Sequence, residues 1–570
     1  MSRFITTAVV YVLLLPYSGY AQKRFTDVTD SAGIQHAFKV YEGMFGGGAC
    51  IIDFNNDGYE DIYITGGMNN DVLYKNNGNG TFTNVFDNSG LTVTKDFVTQ
   101  GVSGADVNKD GFVDLFVTTI TSRTTKLPIP REVNLLFLNN GNGTFKNVTK
   151  EYGLDKMYSF STGASFGDFN GDGYPDIYVG NYFNQFEGKL NFINDATVVG
   201  ANQIAKGYLL LNNSGRKFTD VYENYGLDYR GFGFGGVFTD YDNDGDQDLI
   251  VNHDFGYKRT PDMLLQNEYP EQKFTDVGKE KNMDLRINSM GTAVGDYNND
   301  GLMDYYFTNI KFNMFMVNQG SGRPFIDKAN ELGMGMYAIS WGANFADFDH
   351  DGDIDLYVAN GDLNPDCHPM ADFYYENNGG RFTEKATLYG LADYGIGRGS
   401  VVFDYDNDGD LDLLVVEEEP VYPNYPVPSV TKLYRNDSAK GNWIKIALRG
   451  VQAETHGIGS KVEIHIGNKI MIREIDGGGS SHISQNSVIA HFGLGEVQKI
   501  DKIIVRWSGG AKQELLNVNA NQLITITENV LLNKQTDSNA LVYLITGGIV
   551  IIIIMMAIIL LQRRKKKSNV

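Results

Sequence analysis

Cysteine is almost absent from this chain: Cys50 and Cys367 are the two in 570 residues. They fall in the first and sixth units of the repeat described below, which are not ring neighbours, so no disulfide is expected. An exported chain of this size without disulfides draws its order from a core and from bound metal. Positive charge is also short. Lysine and arginine number 48 against 70 aspartates and glutamates, a formal net charge of −22. An acidic surface repels phosphate backbones, which excludes nucleic acid as a partner. Long apolar runs are missing except at the two ends. Residues 1–21 carry Arg3, an apolar run from Ile5 to Leu15 and small residues up to Ala21, the pattern of a signal peptide. Leu541 to Leu561 is long enough and apolar enough for one transmembrane helix. Arg563, Arg564, Lys565, Lys566 and Lys567 follow at once and belong in a short cytoplasmic tail, residues 562–570. The expected arrangement is a single-pass membrane protein with its ectodomain outside the cytoplasm, joined to the helix by a polar linker, residues 529–540. A sorting signal trimmed after export is the alternative for the same C-terminal residues.

What the chain does have is an acidic nonapeptide, D-x-[N/D]-x-D-G-x-x-D, seven times over. The copies begin at Asp53, Asp106, Asp168, Asp240, Asp296, Asp347 and Asp404. Oxygen side chains at positions 1, 3, 5 and 9, with glycine at 6 to turn the chain, suit a hard cation that takes about 6–8 oxygen ligands, calcium above all. Without a counter-ion the carboxylates of one loop repel each other strongly. An EF-hand loop begins the same way but needs a bidentate glutamate at position 12 between two helices. Here position 12 is Ile64, Val117, Val179, Val251, Phe307, Val358 or Val415. The following residues alternate as strands do, in D-I-Y-I-T from Asp61 and D-L-F-V-T from Asp114, so each loop joins two strands.

The unit extends in both directions. A glycine stands five residues before every loop, at Gly48, Gly101, Gly163, Gly235, Gly291, Gly342 and Gly399. Glycine inside a strand marks close backbone approach. After most loops comes an asparagine-rich turn, as in L-Y-K-N-N-G-N-G-T-F from Leu73, and Asn-Gly between apolar runs is a strong hairpin signal. Then follows an aromatic-led strand, at Phe82, Phe145, Phe218, Phe274, Phe325 and Phe382. The seventh loop has none after it, whereas Phe25 opens F-T-D-V with no loop before it. A first strand that completes the last unit closes a ring, whereas a solenoid needs a cap at each end. The fold expected is all-β: a seven-bladed β-propeller over residues 24–440, with loops about 58 residues apart.

These loops and hairpins resemble FG-GAP/VCBS repeats, the units of the integrin alpha head. The resemblance implies up to seven Ca2+ ions. In this numbering the implied ligands are Asp53, Asn55, Asp57 and Asp61; Asp106, Asn108, Asp110 and Asp114; Asp168, Asn170, Asp172 and Asp176; Asp240, Asp242, Asp244 and Asp248; Asp296, Asn298, Asp300 and Asp304; Asp347, Asp349, Asp351 and Asp355; and Asp404, Asp406, Asp408 and Asp412. Position 7 would add a backbone carbonyl. Aspartates fill 24 of these positions, and seven divalent ions would bring the formal charge from −22 to −8.

Residues 442–528 lack acidic loops and alternate apolar positions with glycine turns, which suggests a smaller β domain. Their motifs, G-I-G-S-K-V from Gly457, R-E-I-D-G-G-G-S-S-H-I-S-Q from Arg473, H-F-G-L-G from His491 and I-I-V-R-W-S-G-G from Ile503, resemble the ASPIC/UnbV domain of the cartilage acidic protein-like family. Gly477 to Ser481 is expected to be a strand-connecting turn rather than a phosphate cradle, because no helix follows it.

Long insertions at 120–133, 182–207, 252–262, 360–371 and 418–430 leave the end of the strands opposite the loops and carry aromatics such as Tyr257, Tyr422 and Tyr425. Recognition usually sits on such loops. The adjacent Cys367 and His368 lack an identifiable third partner, and His482 and His491 lack ligand spacing. With no catalytic constellation, the expected function is binding or adhesion toward a protein or glycan ligand. A carbohydrate-active lyase or hydrolase using the propeller funnel is the alternative.

Overall fold

A computed structural model describes residues 24–41, 46–123, 129–184, 204–362, 367–437 and 440–530. The signal segment 1–21, the helix 541–561 and the basic tail lie outside the described residues. No helix among the described residues is long and apolar enough to cross a membrane.

Each repeat unit folds into one antiparallel sheet, and there are seven. In the second, Phe97–Ala105, Asp114–Ser122, Leu135–Asn139 and Phe145–Asn147 pair in chain order. The acidic loop joins the first two strands, and the Asn-Gly turn joins the last two. Position 12 becomes a strand residue with at most 2% of its surface exposed, as Ile64, Val117, Val179, Val251, Phe307, Val358 and Val415 all show. That leaves no place for an EF-hand glutamate. The sixth sheet gains a fifth strand, Ile310–Phe312, and the last strand of the fifth sheet is Ile326–Asp327, one residue after Phe325. In the seventh sheet, Phe25–Asp27 pairs with Lys432–Asn436, so the N-terminus supplies the missing strand. Phe25 is 1% exposed and packs edge-on against Phe348 and Tyr374, with centroids at 5.4 and 5.8 Å. First strands of successive sheets pack on one another, and the seventh packs on the first. The result is a propeller-like ring.

One side chain per sheet stitches that ring. The asparagine that ends each third strand, or in the fifth sheet directly follows it, donates its Nδ2 to the carbonyl of loop position 2 in the preceding sheet. Asn76 reaches Tyr405, Asn139 reaches Phe54, Asn212 reaches Val107, Asn267 reaches Phe169, Asn318 reaches Tyr241, Asn377 reaches Tyr297 and Asn436 reaches Phe348, all at 2.7–2.9 Å. The Asn76 bond spans the closure between first and seventh sheets.

Residues 442–527 build two further sheets around their own core. One orders Ala490–Gly495, Asn442–Arg449 and Gln522–Thr527, with the last two parallel. The other orders Lys469–Glu474, Lys461–Ile466, Lys499–Arg506 and Lys512–Asn519. This domain sits on the acidic-loop face, where Ser508 Oγ reaches Asp168 Oδ2 at 2.7 Å and His491 Nε2 reaches the Gly409 carbonyl at 2.9 Å.

The segment expected to be a simple turn does more than connect strands. Residues 477–485 are all buried, and they lie along the ring axis. Phe166 donates its N–H to the Gly477 carbonyl at 2.9 Å, and Gln485 donates to Ala49 at 2.9 Å. His482 Nδ1 lies 2.7 Å from the Met290 carbonyl. This contact explains five of the seven glycines that precede the loops. A Cβ on Gly48, Gly101 or Gly163 would come within 2.4–2.9 Å of Ile483 atoms, on Gly291 within 2.9 Å of His482 N, and on Gly399 within 2.4 Å of Ser484 Oγ. His482 and Ile483 are left-handed, with φ 44° and 56°, a costly conformation for a β-branched isoleucine. Next to this segment, Phe232, Phe234, Phe160, Tyr182, Ile339 and Trp341 belong to one buried apolar cluster, with Phe234 and Trp341 packed on His482 at centroid distances of 5.6 and 5.0 Å.

The stitch yields a first prediction. Asn139→Ala leaves the buried Phe54 carbonyl unpaired and costs about 1–3 kcal/mol in urea denaturation. Its exposed neighbour, Asn140→Ala, changes stability by less than about 0.5 kcal/mol. Equal losses would refute the stitch.

Candidate metal centre

The seven loops share one backbone path. Position 4 is left-handed in every copy, with φ between 55° and 67° at Asn56, Lys109, Gly171, Asn243, Asn299, His350 and Asn407. Position 6 is glycine with φ between 82° and 100°. Two left-handed residues in one tight turn explain the preference for asparagine and glycine there. The turn aims its N–H groups inward. The position-6 N–H donates to Oδ2 of the position-1 aspartate in all seven loops, at 2.7–3.2 Å. In all but the sixth loop, the position-5 N–H donates to the other oxygen, Oδ1, at 3.0–3.1 Å.

Position 9 opens the second strand and is at most 1% exposed in Asp61, Asp114, Asp176, Asp248, Asp304, Asp355 and Asp412. Each of these carboxylates accepts the N–H of the stitching asparagine through Oδ1 at 2.7–2.8 Å. Burial, together with repulsion from carboxylates of the same loop, pushes every one of their pKa values up. Asp61 reaches about 8. At position 1, burial raises Asp168 and Asp296 to about 6 and Asp347 to about 7.

The loops divide into two kinds. The fourth, sixth and seventh have aspartate at positions 3 and 7 as well, five carboxylates each. Among the described residues, carboxylate oxygens gather within 4.8 Å of one another in three groups: Asp240, Asp242 and Asp248; Asp347, Asp349 and Asp351; Asp404, Asp406 and Asp412. Asp244, Asp355 and Asp408 lie outside these groups. Buried Oδ1 atoms of Asp347, Asp349 and Asp406 have no hydrogen-bond donor. Hard oxygen donors left unpaired suit a divalent cation such as Ca2+. The first, second, third and fifth loops have asparagine at position 3. In three of them the amide bonds inside the loop: Asn108 to Asp110, Asn170 to Asp172 and Asn298 to Asp300, at 2.9–3.0 Å. In the first, Asn55 Oδ1 accepts the Asp57 N–H at 2.9 Å. His482 and His491 are buried and belong to the packing between ring and C-terminal domain. The stitching asparagines escape a sequence reading, although their recurrence before every Asn-Gly or equivalent turn was a usable signal.

The FG-GAP-like repeat model matches residues 53–117, 123–179, 296–358 and 347–415. The ASPIC and UnbV model matches residues 450–531. The chain is an FG-GAP-like repeat protein with a C-terminal ASPIC and UnbV domain. Its distant homologues include cartilage acidic protein 1. It is 23% identical to the Xenopus tropicalis protein over 419 residues, covering 72% of this chain and 61% of that one. It is 22% identical to the Homo sapiens protein over 540 residues, covering 90% of this chain and 68% of that one. The chain thus spans less than two thirds of the Xenopus relative. Solved structures with loose likeness include an Agrocybe aegerita lectin recognising non-reducing terminal N-acetylglucosamine (TM-score 0.36, 17% identity, 62% of this chain and 81% of that one). Another is the V. cholerae biofilm matrix protein Bap1 (TM-score 0.34, 10% identity, 73% of this chain and 91% of that one). Likeness at that level carries no argument about ligand or activity.

The raised carboxyls of the FG-GAP-like loops set a pH dependence. A group whose pKa is raised by folding contributes stability that is complete below its unfolded value, about 4, and is lost as pH rises through its folded value. With Asp61 at about 8 and Asp347 at about 7, melting temperature in chelator should fall between about pH 5 and about pH 8. Excess Ca2+ needs the ionised carboxylates and should flatten or reverse that slope. Melts across this range with EDTA and with Ca2+ test it; a rising slope in EDTA would contradict it.

Proposed function

We propose that this protein is a calcium-stabilised, seven-bladed β-propeller acting outside the cytoplasm as a membrane-anchored binding module for a protein or glycan ligand. One observation carries the reading: the two faces of the ring have different work. The acidic-loop face is packed under the C-terminal domain. The opposite face presents exposed aromatics on the connections between strands and at strand ends, among them Tyr158, Tyr257, Phe312, Tyr337, Tyr394 and Tyr422, each 40–60% exposed. Aromatics held on a rigid scaffold make contact area at low conformational cost, and both protein and glycan ligands use such surfaces. Tyr337 and Phe312 meet edge-on with centroids 5.8 Å apart, so part of this rim is already fixed in position. The axis, where a lyase or hydrolase would need its funnel, holds the 477–485 segment and the aromatic cluster. Both favour recognition at the rim.

The test is a screen of the full-length protein against glycan and cell-surface protein panels with and without Ca2+. For any ligand found, Tyr422→Ala should weaken binding about tenfold or more while leaving stability within about 0.5 kcal/mol. Asp240→Ala should cost about 3 kcal/mol or more, because it strips the partner of a buried lysine, Lys461. If Tyr422→Ala and its neighbours on the rim leave binding intact while substitutions on the acidic face abolish it at unchanged stability, the faces are reversed.

A further inference from the structure

The three loops with five carboxylates are also the three that receive a lysine from the C-terminal domain. Lys461 Nζ lies 2.9 Å from Asp240 Oδ2, 2.7 Å from Asn243 Oδ1 and 2.8 Å from the Asp240 carbonyl. Lys445 Nζ lies 2.6 Å from Asp404 Oδ2 and 2.9 Å from Asn407 Oδ1. The two lysines come from different strands, Lys461–Ile466 and Asn442–Arg449, yet meet the same two oxygens, at positions 1 and 4, of the fourth and seventh loops. Their side chains are 5% and 6% exposed. In the sixth loop, Lys469 Nζ reaches the Gly352 carbonyl at 2.9 Å and Asp353 Oδ1 at 3.1 Å, and its side chain is 38% exposed. Among the described residues, no lysine or arginine of the C-terminal domain forms an ion pair with the four asparagine loops. Arg473 acts on Asp347 and Asp296 only through space.

We infer that Lys445, Lys461 and Lys469 are built-in counter-ions for the three all-aspartate loops, competing with a divalent cation there and tying the C-terminal domain to the ring when cation is scarce. The inference rests on reading the loops as cation sites. The geometry fixes its sign. In the fourth and seventh loops the ammonium takes Oδ2 of the position-1 carboxylate, the oxygen that also accepts the position-6 N–H. The Asp242 and Asp248 groups, or Asp406 and Asp412, remain gathered with that same carboxylate. An ammonium this close stabilises the empty loop and repels a cation entering it. Coupling is reciprocal, so a cation bound in these loops weakens the hold of the lysines by the same factor. Asn243 and Asn407 pass the effect along the ring, since their Nδ2 groups donate to the carbonyls of Gly301 and Gly58 in the next loops, at 3.0 and 3.3 Å.

The test uses the full chain with Lys445→Met, Lys461→Met and the double variant, read by calorimetric Ca2+ titration and by melting temperature. Lys469→Met, at a part-exposed position, is the variant that keeps its fold if the buried ones do not. Removing a lysine should tighten the sites it backs, about tenfold for the buried pair and about threefold for Lys469. It should also lower the melting temperature more in EDTA than at saturating Ca2+. A lysine that served packing alone would cost the same in both. Unchanged or weaker Ca2+ affinity, or an equal loss of melting temperature with and without cation, overturns the inference and leaves the cation reading standing. If the unsubstituted chain takes up no Ca2+, both fall together.

Discussion

A carboxylate that never reaches water holds each unit of this ring in place. The position-9 aspartate stands at the start of the second strand and accepts the N–H of the asparagine that ends the third. That asparagine, through its side chain, ties down the neighbouring sheet. One acid and one amide thus link an acidic loop, two strands of its own sheet and the loop of the preceding sheet. Burying seven such acids is expensive unless each is neutral, ion-paired or bound to a cation. The raised pKa values of all seven express that expense. The same residue that positions the loop therefore also needs a proton or a positive charge close by, so architecture and electrostatics are joined in this molecule.

The glycine ring makes a second dependence. Seven inner strands around one axis leave a hollow, and glycines at the narrowest level have no side chains to fill it. The chain fills it with its own backbone, 477–485, at the cost of two left-handed non-glycine residues. Such strain persists only where the surroundings over-determine it. Here the surroundings are inner strands contributed by nearly the whole ring. The ring and the C-terminal domain differ in sequence and sheet order, but the energetic boundary does not follow the composition change near residue 440. Each part fills a space the other leaves.

What could be read from the sequence was whatever repeats. The acidic nonapeptide, the glycine five residues upstream and the displaced first strand at Phe25 all recur in phase, and each has a local physical meaning. The asparagine stitch also recurs, but the turn that follows it already accounted for the asparagine-rich stretch, so its role across the sheet boundary was hidden. The axial segment was invisible for the opposite reason. It occurs once, and its partners lie some 80 to 440 residues away in the chain, as Ser400 and Cys50 do from Ser481 and Gln485. Nothing in a glycine-rich connection announces that five separate strands will close around it. The matching of lysines to loops is similarly non-local. Lys445, Lys461 and Lys469 look like ordinary strand residues until the fold sets them over particular aspartates.

That matching also bears on why the seven loops are not identical. If divalent cations were the sole counter-charge, additional aspartates at positions 3 and 7 would only deepen repulsion in the cation-free state. Three of the four asparagine loops avoid this by bonding their own amides inward. The all-aspartate loops are instead the ones met by ammonium groups, two of them nearly excluded from water, where a charge interacts most strongly. Two solutions to the same electrostatic problem therefore coexist in one ring. The asparagine loops meet the C-terminal domain through neutral partners or their own lysine, as Ser508 on Asp168 and Lys109 on the Gln452 carbonyl do, whereas the all-aspartate loops are the ones its lysines reach. The extra carboxylates thus raise the negative potential of the loops that the lysines reach, and in the sixth loop one of them, Asp353, is itself the lysine's partner.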